Sequence, residues 1–133
     1  MHDTGTPAVG TNPVPRPNSR PISRRLQQVG DRSDWHCTYC GRPVERPGAV
    51  DDPDAAATID HLVPRSKDGG NRLRNQVLAC QFCNNLKGDM DLPDWLAELG
   101  LPTDLHTSRA VIRHATAARA RLLRRLELIA RTI

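Results

Sequence analysis

The apolar positions change period several times along the chain, and each change predicts an element. Thr58-Ile59-Asp60-His61-Leu62-Val63 is a short β-branched and apolar run that reads as a strand, and Pro64 ends it. Gly69-Gly70 lets the chain turn tightly. Leu73 and Val77-Leu78-Ala79 make a returning strand, so Asp60-His61 and Asn75 fall on two arms of one hairpin. A helix is expected to start at Asn84, with Leu86 facing inward. Upstream, Ser23 is placed to cap a short helix through Val29, with Leu26 and Val29 on one face and Gly30 as the stop. Residues 92–100 read as another short helix, with Pro93 in the first turn, Asp94 at the positive end and Gly100 after it. Residues 107–133 read as one long helix capped by Thr107 or Ser108. Val111, Ala115, Ala118, Leu122, Leu126, Ile129 and Ile133 share a stripe on it at about 100° per residue, with Arg109, Arg113, Arg124 and Arg131 opposite. Short strands flanked by helices predict an α+β fold.

Composition narrows the picture. The chain has 133 residues, enough for one domain with tails. Residues 1–20 carry four prolines among Gly, Thr and Asn and are expected to be disordered. The main folded domain is expected over 21–105, with its core at 35–89, and a basic amphipathic helix over 106–133. No apolar run approaches the ~20 residues of a membrane span, so no membrane partner is expected and the chain reads as soluble and cytoplasmic. Only four aromatic residues are present, Trp35, Tyr39, Phe82 and Trp95, so a small core needs another clamp. The net charge of +4 is uneven. Residues 35–105 are acidic overall, while 106–133 hold seven Arg and one Glu. A basic end segment fits a surface that holds nucleic acid, and it also fits the solvated back of a packing helix or a dimer seam.

The four cysteines supply the clamp. Cys37 and Cys40 form one Cys-x-x-Cys, and Cys80 and Cys83 form the other. Each such knuckle can bring two sulfurs to one tetrahedral Zn²⁺. His36 is then a knuckle-loop residue rather than a ligand, and Tyr39 a packing residue. Glu45, Asp51, Asp52 and Asp54 in the 41–57 connector read as a solvated loop. Asp60-His61 is a different chemistry. A carboxylate facing an Asn carbonyl offers hard oxygens suited to Mg²⁺ or Mn²⁺. A neutral imidazole beside them can take a proton from water.

Taken in order, Cys37-x-x-Cys40, Asp60-His61, Asn75 and Cys80-x-x-Cys83-Asn84-x-x-Lys87-Gly88 resemble the HNH endonuclease family. The resemblance covers 35–89 and implies the zinc-stapled ββα-metal fold of that family. By position, it implies that His61 is the general base and that Asp60 ligates the catalytic ion. Asn75 resembles the middle Asn that braces the hairpin. Asn84 falls where many members have a last His and where others have a metal-binding Asn. The implied reaction is metal-assisted hydrolysis of a DNA phosphodiester. Arg65, Lys67 and Lys87 are candidate phosphate-holding cations.

A non-catalytic zinc module that binds nucleic acid or a protein is the competing reading. A zinc scaffold alone has no need of Asp60, His61, Asn75 and Asn84 together, and their presence favours the nuclease.

Overall fold

The computed structural model describes residues 22–132, so the 1–20 tail lies outside the described residues. Two antiparallel strands form the centre, β1 (Ala57–His61) and β2 (Gln76–Cys80). The register runs from Ala57 opposite Cys80 to His61 opposite Gln76. Helix α2 (Gln81–Lys87) follows β2 without a loop, completing a ββα unit. Around it lie α1 (Arg24–Arg32), α3 (Leu92–Glu98) and α4 (Ser108–Thr132). The α+β reading holds.

Strand β1 stops at His61, two residues short of the expected end. Leu62 leaves the ladder and sits fully buried in the core, its N–H on the Asn75 carbonyl at 2.8 Å. Strand β2 is buried along its whole length, as a strand covered on both faces must be.

Helix α1 starts as expected, with the Ser23 hydroxyl accepting from Leu26 N–H at 3.1 Å. It does not stop at Gly30 but runs on to Arg32. The glycine serves close approach instead: a Cβ there would lie 2.4 Å from the Trp35 ring. Trp35 then packs across the helix, its indole N–H on Asp31 Oδ1 at 3.1 Å and the Arg46 guanidinium over its ring.

Helix α2 corrects another expectation. Leu86 is 60% exposed, while Cys83 and Lys87 point inward. The helix is only seven residues long and its rotation is set by Cys83, so residue 87, four positions on, takes the inner place.

Helix α4 is capped by Thr107, whose hydroxyl accepts from Ala110 N–H at 3.2 Å. Its first half buries Ser108, Val111 and Ala115, and Val111 and Ala115 join the main core with Val29, Leu78 and Leu96. The Arg119 guanidinium donates to the Thr38 carbonyl at 2.9 Å and ties the helix to the first cysteine knuckle. The expected stripe does not continue inward. Leu122, Leu126 and Ile129 are each more than half exposed, and the described residues from 120 onward are all exposed. A 25-residue helix is about 37 Å long, which outruns the face of so small a domain.

This division predicts different outcomes for two truncations. Removing residues 106–133 takes Val111 and Ala115 out of the core, costing about 2 kcal/mol for the valine and about 1 kcal/mol for the alanine. That variant is expected to melt well below the full chain or fail to fold. Removing only 121–133 is expected to leave the melting temperature nearly unchanged. Equal melting losses for the two truncations, followed by circular dichroism, would show that the second half of α4 is also held.

Candidate active site and metal centre

The two knuckles meet at one point. Cys37 and Cys40 come from the turn after Trp35, Cys80 from the end of β2, and Cys83 from the first turn of α2. All four are free thiols, and their sulfurs lie within 4.8 Å of one another. Cys40 Sγ and Cys80 Sγ are 3.9 Å apart, close to the ~3.8 Å edge of a zinc–thiolate tetrahedron with ~2.3 Å bonds. Within each knuckle a backbone N–H points back at the first sulfur, Cys40 N–H at Cys37 and Cys83 N–H at Cys80. These donors favour the thiolate. The Cys83 thiol, with the backbone N–H groups of Cys40, Cys80 and Tyr39, holds the Cys37 thiol down to about 4. Cys83, sharing that proton, is pushed up. Four sulfurs gathered this closely fit a structural Zn²⁺.

The hairpin loop is organised by Asn75. Its Oδ1 accepts from Val63 N–H at 3.0 Å, and its Nδ2 donates to the Val63 and Gly70 carbonyls at 3.2 and 2.8 Å. One side chain thus closes both sides of the loop. Gly69 makes this possible, since a Cβ there would strike the Val63 carbonyl at 1.7 Å.

Asp60 and His61 end β1, and neighbouring strand residues face opposite ways. Asp60 faces inward and is 5% exposed. Its Oδ2 accepts from the Tyr39 hydroxyl and lies 3.3 Å from Lys87 Nζ. Burial pushes the Asp60 carboxyl up, while the Lys87 ammonium and the Tyr39 hydroxyl pull it back down. Burial also holds the Tyr39 phenol well above its ordinary value, so it keeps its proton and donates. Both donors take Oδ2, which leaves Oδ1 as the oxygen free to ligate.

His61 faces the other side. Its Nε2 is 2.9 Å from Asn71 Oδ1 and 3.2 Å from Gln76 Nε2. Gln76 is itself fixed by the Arg25 guanidinium on its Oε1. Both ring contacts are at Nε2, so among the described residues Nδ1 is the ring nitrogen without a partner.

Asn84 lies on the Asp60 side. Its Nδ2 donates to Thr58 Oγ1 at 3.0 Å, and that hydroxyl donates to the Ala79 carbonyl at 2.8 Å. The amide nitrogen is therefore committed and the amide oxygen left over. Thr58 and Asp60 are two apart on β1, so Asp60 and Asn84 share one face of the hairpin.

Residues 37–90 match the HNH endonuclease family model. These residues are an HNH endonuclease domain. A stretch of 72 residues is also 33% identical to the CRISPR-associated endonuclease Cas9 of Corynebacterium diphtheriae. That stretch covers 53% of this chain and 6% of the Cas9 protein. The HNH domain thus begins at the first zinc knuckle and ends just past α2, leaving α1, α3 and α4 outside the matched residues.

Of the three expected phosphate contacts, Lys87 is the one whose burial excludes that role. Lys87 is 2% exposed, its ammonium bonded to the His61 carbonyl at 2.7 Å and paired with Asp60. It is an internal strut joining α2 to the end of β1, because the inward rotation of α2 gives it no path to solvent. Lys67 is paired with Asp91 at 3.2 Å. Arg65 is exposed on the turn after Pro64. Tyr39, Thr58, Asn71 and Gln76 escaped the sequence reading as site residues. Strand alternation could have placed Thr58 beside Asp60, and pairing could have placed Gln76 beside His61. Nothing local marks Tyr39, which reaches Asp60 only because zinc-type knuckle geometry brings the two segments together.

Proposed function

We propose that the chain is a metal-dependent endonuclease that hydrolyses DNA phosphodiester bonds, with His61 as general base and Asp60 and Asn84 as ligands of a Mg²⁺ or Mn²⁺ ion. The observation that carries this reading is the split at the end of β1. Asp60 and His61 are adjacent in sequence but face opposite sides of the strand end. An in-line displacement at phosphorus needs its base and its leaving-group stabiliser on opposite sides of the phosphate. A phosphate at the strand end would meet both.

The residues suit these roles. Asp60 Oδ1 and the Asn84 amide oxygen are the atoms left free by their other bonds, and two oxygens suit a hard ion that keeps several waters. Such an ion, when bound, supplies stabilisation of the charge developing on the leaving oxygen. His61 is anchored through Nε2, and Nδ1 is free to take the proton of water. Asn75 keeps the loop from moving that ring. Tyr39 and Lys87 hold the Asp60 rotamer.

Supercoiled-plasmid nicking with added Mg²⁺ or Mn²⁺ tests the reading. Wild type is expected to nick, and no nicking with either ion by zinc-loaded protein would favour the non-catalytic zinc module. Asn84 gives the finer test. Asn84→Ala is expected to lose most activity and to need more metal, with zinc content unchanged. Asn84→His replaces an oxygen by an imidazole nitrogen and is expected to stay active with a shift toward Ni²⁺ or Co²⁺. An Asn84→Ala enzyme with unchanged rate and unchanged metal requirement would remove Asn84 from the site.

A further inference from the structure

Lys87 is buried and Lys67 is paired, yet a nuclease must hold a polyanion. Other cations face open space. A cleft of about 660 Å³ lies between α4 and the turn before β2, lined by Arg32, Leu73, Arg74, Arg109, Ile112 and Arg113. Arg32 donates to Ser108 Oγ and to the Gln76 carbonyl, neither of them an acid. Among the described residues, Arg74, Arg109 and Arg113 have no ion-pair partner. A second cleft of about 370 Å³ shares Arg74 and adds Arg72 and Asn71. Asn71 is the residue whose side-chain oxygen lies 2.9 Å from His61 Nε2. Asp68 is the acidic residue along this path. The two clefts therefore form a basic track from the start of α4 to the candidate base.

We propose that this track holds the phosphodiester backbone of the nucleic-acid strand beside the cleavage point, with Arg74, Arg109 and Arg113 on phosphates. The proposal rests on the nuclease reading and adds to it where the flanking strand runs. Guanidinium groups match phosphate geometry with two parallel N–H donors. Leu73 and Ile112 give the cleft apolar walls, against which sugar rings pack and near which charge interactions are less screened. The positive end of the α4 dipole adds to the same field. Arg109, Ile112 and Arg113 lie outside the matched HNH residues, so the contact belongs to this chain's added helix. The arginines of the outer half of α4 are different. Arg124 and Arg131 stand on a stretch exposed all round and line neither of these two clefts.

The test is fluorescence anisotropy with labelled DNA, as a duplex and as a single strand, without added divalent ion, over a range of salt. Arg109→Gln/Arg113→Gln is expected to weaken binding about tenfold and to reduce the slope of log K against log salt by about 2. Arg124→Gln/Arg131→Gln is expected to leave the slope alone. Arg109→Lys/Arg113→Lys is expected to keep the slope, which separates charge from fold, and melting temperatures are recorded for all. An unchanged slope in Arg109→Gln/Arg113→Gln on both probes, or a slope carried by Arg124 and Arg131, overturns the proposal. A wild type that shows the cleft-dependent slope but nicks no plasmid keeps the track and sinks the nuclease reading. A wild type that nicks but binds independently of the cleft does the reverse.

Discussion

His61→Ala is expected to lose nicking activity by about 10² to 10⁴-fold while keeping its fold, its zinc and its DNA affinity. The structure explains why so large a loss need not disturb anything else. His61 is the last residue of β1 and is only half-buried, outside the main core cluster. Its ring touches Asn71 and Gln76, and both have other partners or solvent. The Lys87 strut reaches the His61 backbone carbonyl, which alanine retains. What alanine removes is Nδ1, the proposed acceptor of the water proton. Position 61 is therefore separable from stability, unlike Asp60, whose loss would leave the buried Lys87 ammonium without its partner. Nicking, zinc content and anisotropy measured on the same preparation check this. A His61→Ala protein that nicks as fast as wild type would show that another group removes the proton.

The second large effect concerns the zinc. Cys80→Ser is expected to unfold the chain, not merely to slow it, and purified wild type is expected to hold about one zinc per chain. Cys80 closes β2 opposite Ala57, accepts the Cys83 N–H that starts α2, and meets Cys40 from a segment far away in sequence. Structural zinc supplies on the order of 10 kcal/mol, comparable to the whole stability of a small domain. A two-stranded sheet of five-residue strands is marginal by itself, so the clamp adds what the small core lacks. The sign with pH follows from the thiolates. Zinc needs all four sulfurs deprotonated, so acid must release the ion and the fold with it. Metal analysis beside far-ultraviolet circular dichroism, with and without a chelator, reads both. Folded protein that contains no zinc would sink the clamp.

Tyr39 links these two effects. It sits between the cysteines of the first knuckle and donates to Asp60, so the cysteine cluster helps position a proposed ligand of the proposed catalytic ion. A partial loss of zinc order should thus appear first as a higher demand for Mg²⁺ or Mn²⁺.

Much of this was legible in the sequence because it depends on local spacing. Two Cys-x-x-Cys pairs specify knuckles whatever surrounds them. A β-branched run, Pro64, a Gly-Gly turn and a returning apolar run specify a hairpin. The order Asp60-His61, Asn75, Asn84 between and beside those pairs then carries the resemblance to the HNH family. Three helix starts were legible too, from Ser23, Pro93 and Thr107, whereas α2 begins at Gln81 rather than at the expected Asn84. The tertiary structure decided what no local pattern carries. The rotation of α2 is set by Cys83 reaching the four-cysteine cluster, and only that rotation buries Lys87 and exposes Leu86. The inward stripe of α4 ends where the domain ends, so Val111 is core and Leu126, with the same pattern, is not. Which arginines face a cleft depends on how α4 lies against the turn at Leu73. Periodicity fixes which side chains share a face. Only packing fixes what that face meets.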